Sequence, residues 1–352
     1  MGCMWCKLND STTGQGTEST RKNESAPKFS WEQGPQVDPK DFTIENIDGE
    51  VAGRLPGTIN GQQFIIANCK NSSVYLFDHI NTITVDDCEN CVFFIGPVQT
   101  SIFIRDCKDC KFLVACQQFR TRDCQRLDCF LSCVSLPIIE ASSKMRFGPF
   151  CFYYPELLGQ FENSSLSPFN CHWSEIHDFT PVTGESNFTL VPDGTPIRDF
   201  FPLDVPESHQ LHSFISQKVS TKPEYSVVPQ TFGSRPAGLT DEKCLALVFS
   251  GWENAVALIA KAATKPDLRL VRTWQLQLTV ENGRRLLQTM HYDAQLAKGP
   301  VICLEFNGPQ VVPLLQSLTQ GNEDFYVSSD SGVADRQLDI LGGIVDMQMN
   351  SQ

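Results

Sequence analysis

Phe64-Ile65-Ile66-Ala67-Asn68-Cys69 is the first of four copies of one six-residue pattern. The other copies are Ile83-Thr84-Val85-Asp86-Asp87-Cys88, Ile102-Phe103-Ile104-Arg105-Asp106-Cys107 and Phe119-Arg120-Thr121-Arg122-Asp123-Cys124. Their cysteines lie 19, 19 and 17 residues apart, and each follows an Asn or Asp. A fixed period of roughly 20 residues with strand-like composition is typical of a solenoid that adds one coil per repeat.

Alternation within each copy predicts which side chains face the core. The residues five and three before each cysteine are apolar apart from Thr121, and the residue between them is predicted to face outward. These outward residues are Ile65, Thr84, Phe103 and Arg120. A second inward pair follows each cysteine, as in Val74 and Leu76. Two inward strands per coil predict a right-handed parallel β-helix of about 19 residues per coil.

The motifs Cys88-x-x-Cys91 and Cys107-x-x-Cys110 also have the spacing of a tetrahedral zinc site. In the outer copies the second cysteine is replaced by Ser72 and Leu127, which do not serve as zinc ligands. Free cysteine packs as a small hydrophobic residue in protein cores. We therefore predict a packed ladder of thiols rather than a metal site.

Whole-chain properties narrow the class of protein. The 352 residues suggest two domains, and the net charge of −13 argues against a surface that binds nucleic acid. No apolar run approaches the ~18 residues that cross a bilayer. Fifteen cysteines without a secretory leader predict a reducing, cytosolic compartment.

The N-terminus predicts a lipid anchor. Met1-Gly2-Cys3-Met4-Trp5-Cys6 presents Gly2 for N-myristoylation, although the motif prefers Ser or Thr where Cys6 stands. One myristoyl chain binds membranes only marginally, and the five basic residues of 1–40 are balanced by five acidic ones. Palmitoylation of Cys3, with or without Cys6, would supply the second anchor. The alternative is an unmodified tail, and in either case the polar residues 1–28 are predicted to be disordered.

The residue six positions after each repeat cysteine faces outward and is apolar. These residues form a stripe that the aromatic-rich residues 150–200 are predicted to cover. The stripe comprises Tyr75, Phe94, Leu113 and Phe130. We thus predict a β-helix with its cover over 29–204, a Pro-rich linker over 205–240, a second domain over 241–330 and a polar tail over 331–352. The second domain alternates strands and helices in the order βαβ(α)βαβ, which predicts an α+β ferredoxin-like fold.

Three stretches carry a resemblance to a known family. They are the repeat with its lead-in Arg54-Leu55-Pro56-Gly57-Thr58, the segment Ala115-Cys116-Gln117-Gln118-Phe119-Arg120, and the acylation-type N-terminus. Together they closely resemble the X-linked retinitis pigmentosa family, whose members are relatives of tubulin-folding cofactor C. The resemblance extends over almost the whole chain. The resemblance implies a cofactor-C-like β-helix followed by a nucleoside-diphosphate-kinase-like domain. It further implies a GTPase-activating protein for a GTP-bound Arf-like small GTPase, acting in trafficking of lipidated proteins to the cilium. The implied location is the cytoplasmic face of the plasma membrane, the cilium and the basal body region.

The same resemblance identifies candidate site residues. The family's catalytic arginine falls on Arg120 and its contact glutamines on Gln117 and Gln118, while Glu140 and Phe179 match positions near the same interface. A guanidinium that enters a GTPase site neutralises charge on the transferring phosphoryl group, which is worth roughly 10³–10⁵ in rate. Gln118 is assigned a catalytic role, orienting the attacking water or binding the GTPase's own water-positioning residue; the other three are assigned to partner binding. Periodicity alone favours a solvated surface arginine at position 120, and the catalytic role of Arg120 rests on the resemblance.

The second domain also suggests an enzyme. Residues 298–308 resemble a strand of nucleoside diphosphate kinases, whose phosphorylated histidine follows that strand and the next helix. No histidine follows His291 in this sequence, so phosphotransfer is predicted to be lost and no cofactor is expected. A membrane-anchored scaffold that binds a GTPase without activating it is the alternative function.

Overall fold

The computed structural model describes residues 38–236 and 242–349. The predicted acylation sites Gly2, Cys3 and Cys6 lie outside the described residues. None of the helices in these two ranges has the length and apolar character needed to cross a bilayer.

Twelve strands in the first half form one sheet in which every pairing is parallel. They are β1 Thr43–Glu45, β2 Val51–Arg54, β3 Phe64–Ala67, β4 Ser73–Leu76, β5 Ile83–Asp86, β6 Val92–Arg105, β7 Lys111–Arg122, β8 Asp128–Cys133, β9 Ile138–Glu140, β10 Met145–Pro149, β11 His177–Asp178 and β12 Phe188–Leu190. Phe64 pairs with Ile83, Ile83 with Ile102 and Ile102 with Phe119, so equivalent residues of successive copies stack inside the core. The predicted parallel β-helix is confirmed.

The Asn or Asp before each repeat cysteine forms a corner of the coil. Its backbone is left-handed, with φ of 51°, 53°, 52° and 55° at Asn68, Asp87, Asp106 and Asp123. Asn and Asp enter this region at lower cost than other residues that carry a Cβ, because their short polar side chains bond locally. The Asn68 amide, for example, donates to Asn46 Oδ1 of the preceding coil at 2.6 Å. The recurring Asn/Asp thus allows each coil to turn.

The repeat cysteines point into the β-helix and are buried there, together with the second cysteine of each Cys-x-x-Cys motif. Their thiols donate to the carbonyl two residues earlier, at 3.2 Å from Cys88 to Asp86 and from Cys107 to Arg105. Within the two described ranges, no group of three or more His, Cys, Asp or Glu side chains could hold a metal ion. The ladder contributes packing volume and satisfied thiol donors.

The segment after the β-helix packs on the apolar stripe. The stripe of Tyr75, Phe94, Leu113 and Phe130 is buried in a second hydrophobic cluster. The Phe152 ring stacks on the Phe94 ring with centroids 4.2 Å apart, and the Tyr75 hydroxyl donates to the Pro202 carbonyl at 2.8 Å. Helix α1, Leu157–Asn163, lies in the same segment and buries Leu157 and Phe161.

Residues 205–236 differ from the predicted linker because they continue this packing. They contain helix α2, His212–Lys218, and bury Leu211, Ile215 and Val228 in the second hydrophobic cluster. Leu211, Phe214 and Ile215 have the i, i+3, i+4 spacing of an amphipathic helix, but this pattern spans only about two turns between Pro-containing stretches, and the linker prediction overlooked it.

A four-stranded antiparallel sheet forms the second domain, in the order β14-β15-β13-β16. Its elements are β13 Lys243–Val248, α3 Gly251–Ala263, β14 Arg269–Leu276, α4 Val280–Leu287, α5 Asp293–Leu296, β15 Val301–Asn307, α6 Val311–Thr319, β16 Phe325–Val327 and α7 Ser331–Met349. One face of the sheet packs on α3 and α6, and the other on α4, α5 and α7. The polar tail predicted over 331–352 is instead helical through Met349, and it buries Leu341, Ile344 and Val345.

Strand β14 joins the second domain to the residues that close the β-helix. Thr273 Oγ1 donates to the Phe169 carbonyl at 2.7 Å, and the Phe232 amide donates to the Leu270 carbonyl at 2.7 Å. Backbone groups that lie in such an interface need protein partners, because an unpaired buried donor or acceptor is costly. These hydrogen bonds therefore fix β14 against the first half of the chain.

Candidate functional site

Arg120 projects from the middle of a regular outward row on the β-helix. Each residue of the row lies opposite the next one on the neighbouring strand. The row comprises Ile65, Thr84, Phe103, Arg120, Ile138 and His177. Neighbouring strands lie about 4.8 Å apart, so these side chains form one continuous strip. Phe119 and Thr121, on either side of Arg120, are buried in the β-helix. The exposed guanidinium therefore stands on a backbone that is fixed by packing on both sides.

Arg120 differs from its neighbours in its electrostatic surroundings. Arg105 makes two hydrogen bonds to the Asp86 carboxylate, at 2.8 and 2.6 Å, and Arg122 Nε lies 3.3 Å from Asp123 Oδ2. No ion pair or hydrogen bond joins the Arg120 guanidinium to any residue of 38–236 or 242–349. Its five N–H donors are thus not committed to a described acceptor and can meet a planar anionic group.

Gln117 and Gln118 lie at a corner of β7. Cys116 and Phe119 are both buried although they are three residues apart, so strict alternation breaks between them. Both glutamines are half-buried, and Ser101 Oγ donates to Gln118 Oε1 at 3.1 Å. Gln118 pairs with Ser101 and Arg120 with Phe103 on the same neighbouring strand. The Gln118 side chain is therefore held two residues from Arg120.

Glu140 and Phe179 lie on the same side of the β-helix, at different distances from Arg120. Glu140 pairs in register with Arg122, and Arg120 pairs with Ile138. The Phe179 amide donates to the Ile139 carbonyl at 2.9 Å, and its ring lies 4.5 Å from the His177 ring, which closes the outward row. Phe179 is 58% exposed.

The structure thus places the five candidate residues close together in the sheet: Gln117, Gln118 and Arg120 on β7, Glu140 on the neighbouring β9, and Phe179 directly after β11, which pairs with β9. Sequence reasoning missed His177 and Ser101 as members of this surface. Neither belongs to a repeat copy, and only the register of distant strands brings them beside Arg120 and Gln118.

Comparisons with known proteins agree with this fold. The family described as TBCC, tubulin binding cofactor C, matches residues 61–179, which include every candidate residue from Gln117 to Phe179. The class is therefore that of proteins with a tubulin binding cofactor C domain. Protein XRP2 of chicken, Gallus gallus, is 44% identical over 363 residues, covering 99% of this chain and 99% of that protein. Human Protein XRP2 is 42% identical over 359 residues with the same coverage. The chain belongs to the Protein XRP2 family.

A more distant relative shares only part of the chain. Human Tubulin-specific chaperone C is 29% identical over 153 residues, which are 43% of this chain and 44% of that protein. The resemblance stated from the sequence is confirmed at the level of the family.

Proposed function

We propose that this chain is a GTPase-activating protein for an Arf-like small GTPase, and that Arg120 is the arginine finger it supplies in trans. The observation that carries the proposal is the Arg120 guanidinium, which has no ion-pair partner among residues 38–236 and 242–349 and stands on a rigid strand, whereas Arg105 and Arg122 are both paired. A finger must reach the partner's phosphates without losing much conformational entropy, and a strand buried on both sides of Arg120 meets this need.

The chemistry follows from the charge that develops during GTP hydrolysis. The leaving oxygen and the transferring phosphoryl group gain negative charge that a GTPase alone stabilises incompletely. Arg120 donates to these oxygens from a planar, permanently charged group. The Ser101 hydrogen bond to Gln118 Oε1 leaves the Gln118 amide N–H groups as donors, either to the attacking water or to the partner's water-positioning residue.

The surrounding surface supports partner binding. Ile65, Phe103 and Phe179 are exposed apolar side chains along the row that contains Arg120 and beside its end, and such patches mark protein interfaces. Glu140 and Gln117 supply polar contacts at the edge of the same surface. We assign Gln117, Glu140 and Phe179 to partner binding.

We further propose a membrane location and a role in trafficking of lipidated proteins to the cilium. The support is the Gly2 and Cys3 acylation sequence, with Cys6 as an additional acceptor, and membership of the Protein XRP2 family. Two acyl chains would hold the protein on the cytoplasmic face of the plasma membrane and in the basal body region.

The second domain is proposed to be a ferredoxin-like binding module related to nucleoside diphosphate kinases but without their activity. Its sheet order is the one such domains have, with the first strand between the third and fourth. The last histidine of the sequence, His291, precedes β15, so the phosphorylated histidine has no equivalent after that strand.

A panel of GTP-loaded Arf-like GTPases tests the proposal. Single-turnover hydrolysis is measured with and without saturating protein, and binding is measured in parallel. We expect at least one GTPase to be both bound and accelerated. If the protein binds GTPases of the panel but accelerates GTP hydrolysis by none of them, the activator proposal is wrong and the scaffold function is favoured.

A further inference from the structure

A groove of about 990 Å³ lies between the β-helix cover and the second domain. Helix α3 contributes Val256, Ile259, Ala260 and Ala263 to its lining, and the cover contributes Val191 and Ile197. The volume is at the upper end of the range typical of small-molecule sites, roughly 300–1,000 Å³, which often form at domain interfaces. The apolar walls suit a hydrocarbon chain.

The charges around this groove oppose those of the whole chain. Its lining includes the cations Arg198, Lys222, Arg235, Lys265 and Arg269. It includes only two carboxylates, Asp193 and Glu224, so the lining carries a formal charge of 5 − 2 = +3 in a chain of −13. Arg269 pairs with Asp193 at 3.8 Å, and no described carboxylate pairs with Arg198, Lys222 or Lys265. The groove is a local positive site in an acidic protein.

Arg235 is the most constrained of these cations. Its guanidinium carbon lies 4.6 Å from the centre of the Trp173 ring, and Trp173 is buried. Nε and Nη1 donate to the carbonyls of Val191 and Phe232, both at 2.8 Å. These acceptors are neutral, so the charge of a half-buried guanidinium is not balanced by an ion pair among the described residues. Burial of the Arg235 guanidinium lowers its pKa from the usual value, because the charged form loses contact with water.

We propose that the groove binds an amphiphile with one long alkyl chain and one anionic headgroup, such as a fatty acid. The alkyl chain lies between α3 and the cover, and the headgroup is neutralised by Arg235 and the cations of the rim. This site is separate from the Arg120 surface and does not depend on the activator proposal.

Isothermal titration of dodecanoate into unacylated full-length protein, below the critical micelle concentration, tests the proposal. We expect one saturable site, and binding roughly tenfold tighter for each two methylenes added between decanoate and tetradecanoate. Dodecyltrimethylammonium, which has the same chain and a cationic headgroup, should bind at least tenfold more weakly than dodecanoate. Equal binding of the two amphiphiles, or binding without saturation, would overturn the proposal.

Variants on one helix locate the site. Ala260→Trp fills the groove from an exposed position of α3 and should weaken dodecanoate binding at least tenfold. Ala257→Trp makes the same change at an exposed α3 residue outside the groove lining and should bind as wild type. Val256→Asp, which places a carboxylate at an exposed lining position, should also weaken binding. Melting temperatures verify that each variant folds, and equal affinity of Ala260→Trp, Val256→Asp and wild type would refute the assignment.

Discussion

Arg272→Ala should destabilise the second domain more than the loss of an exposed ion pair would. Arg272 Nε lies 2.7 Å from Glu305 Oε2 on β15, and Nη1 lies 3.0 Å from Glu175 Oε1 in the segment that closes the β-helix. The Glu305 side chain is only 4% exposed. Removing the arginine leaves this buried carboxylate without a counter-charge, and breaking a buried pair in this way costs about 3–5 kcal/mol. Because Arg272 itself is partly exposed, we expect the lower end, about 3 kcal/mol.

Urea unfolding followed by tryptophan fluorescence measures this effect, since the Trp274 ring centre lies 5.3 Å from the Arg272 guanidinium carbon. Adding Glu305→Gln to Arg272→Ala should recover much of the loss, because the double variant buries no unpaired charge. Arg284→Ala is the matched control: its partner Asp293 is on the surface, and the unfolding midpoint should stay close to wild type. A midpoint for Arg272→Ala equal to that of Arg284→Ala would refute the reasoning.

Three further predictions concern acid stability, chain length and location. The hydrogen bond from His172, aided by Arg272, holds the Glu175 pKa at about 2, below its ordinary 4.5. The ionised Glu175 therefore contributes its full stabilisation above pH 4.5 and loses it as the pH falls toward 2. The melting temperature should accordingly decrease less steeply between pH 5 and pH 3 for Glu175→Gln than for wild type. A chain ending at residue 230 should melt at lower temperature than one ending at 236, because it lacks Thr231, whose hydroxyl accepts from Trp173 Nε1 at 2.9 Å; identical melting temperatures would show that these residues do not close the β-helix. Gly2→Ala should move the protein from the membrane to the soluble fraction on cell fractionation, and unchanged membrane residence would remove the acylation proposal.

The sequence predicts the β-helix well because its information is local and periodic. The inward residues of each copy alternate, the Asn or Asp before each cysteine marks a corner, and a solenoid repeats both features in every coil. Packing that joins distant residues is not visible in this way. The helical spacing of Leu211, Phe214 and Ile215 is too short to show which surface the helix covers. Adjacent Gly342 and Gly343 disfavour the helix α7 that tertiary packing nevertheless stabilises.

The candidate site was predicted only in part. Alternation places Arg120 outward, but Arg105 and Arg122 are equally outward in the pattern. The structure distinguishes the three arginines, because Arg105 forms an ion pair with Asp86 and Arg122 forms one with Asp123. A catalytic role for Arg120 came from the family resemblance, since no local pattern encodes the shape of a partner protein.

Single-turnover GTP hydrolysis with Arg120→Ala tests the central claim most directly. At saturating activator the rate should fall by roughly 10³-fold or more, about 4 kcal/mol of barrier, while affinity for the GTP-loaded partner weakens only modestly. Stability should change by less than about 0.5 kcal/mol because the side chain is exposed. Arg120→Lys should rescue little, since an ammonium lacks the planar fork, and Arg122→Ala should retain activity. Wild-type hydrolysis by Arg120→Ala, or a loss explained by unfolding, would contradict the arginine-finger assignment.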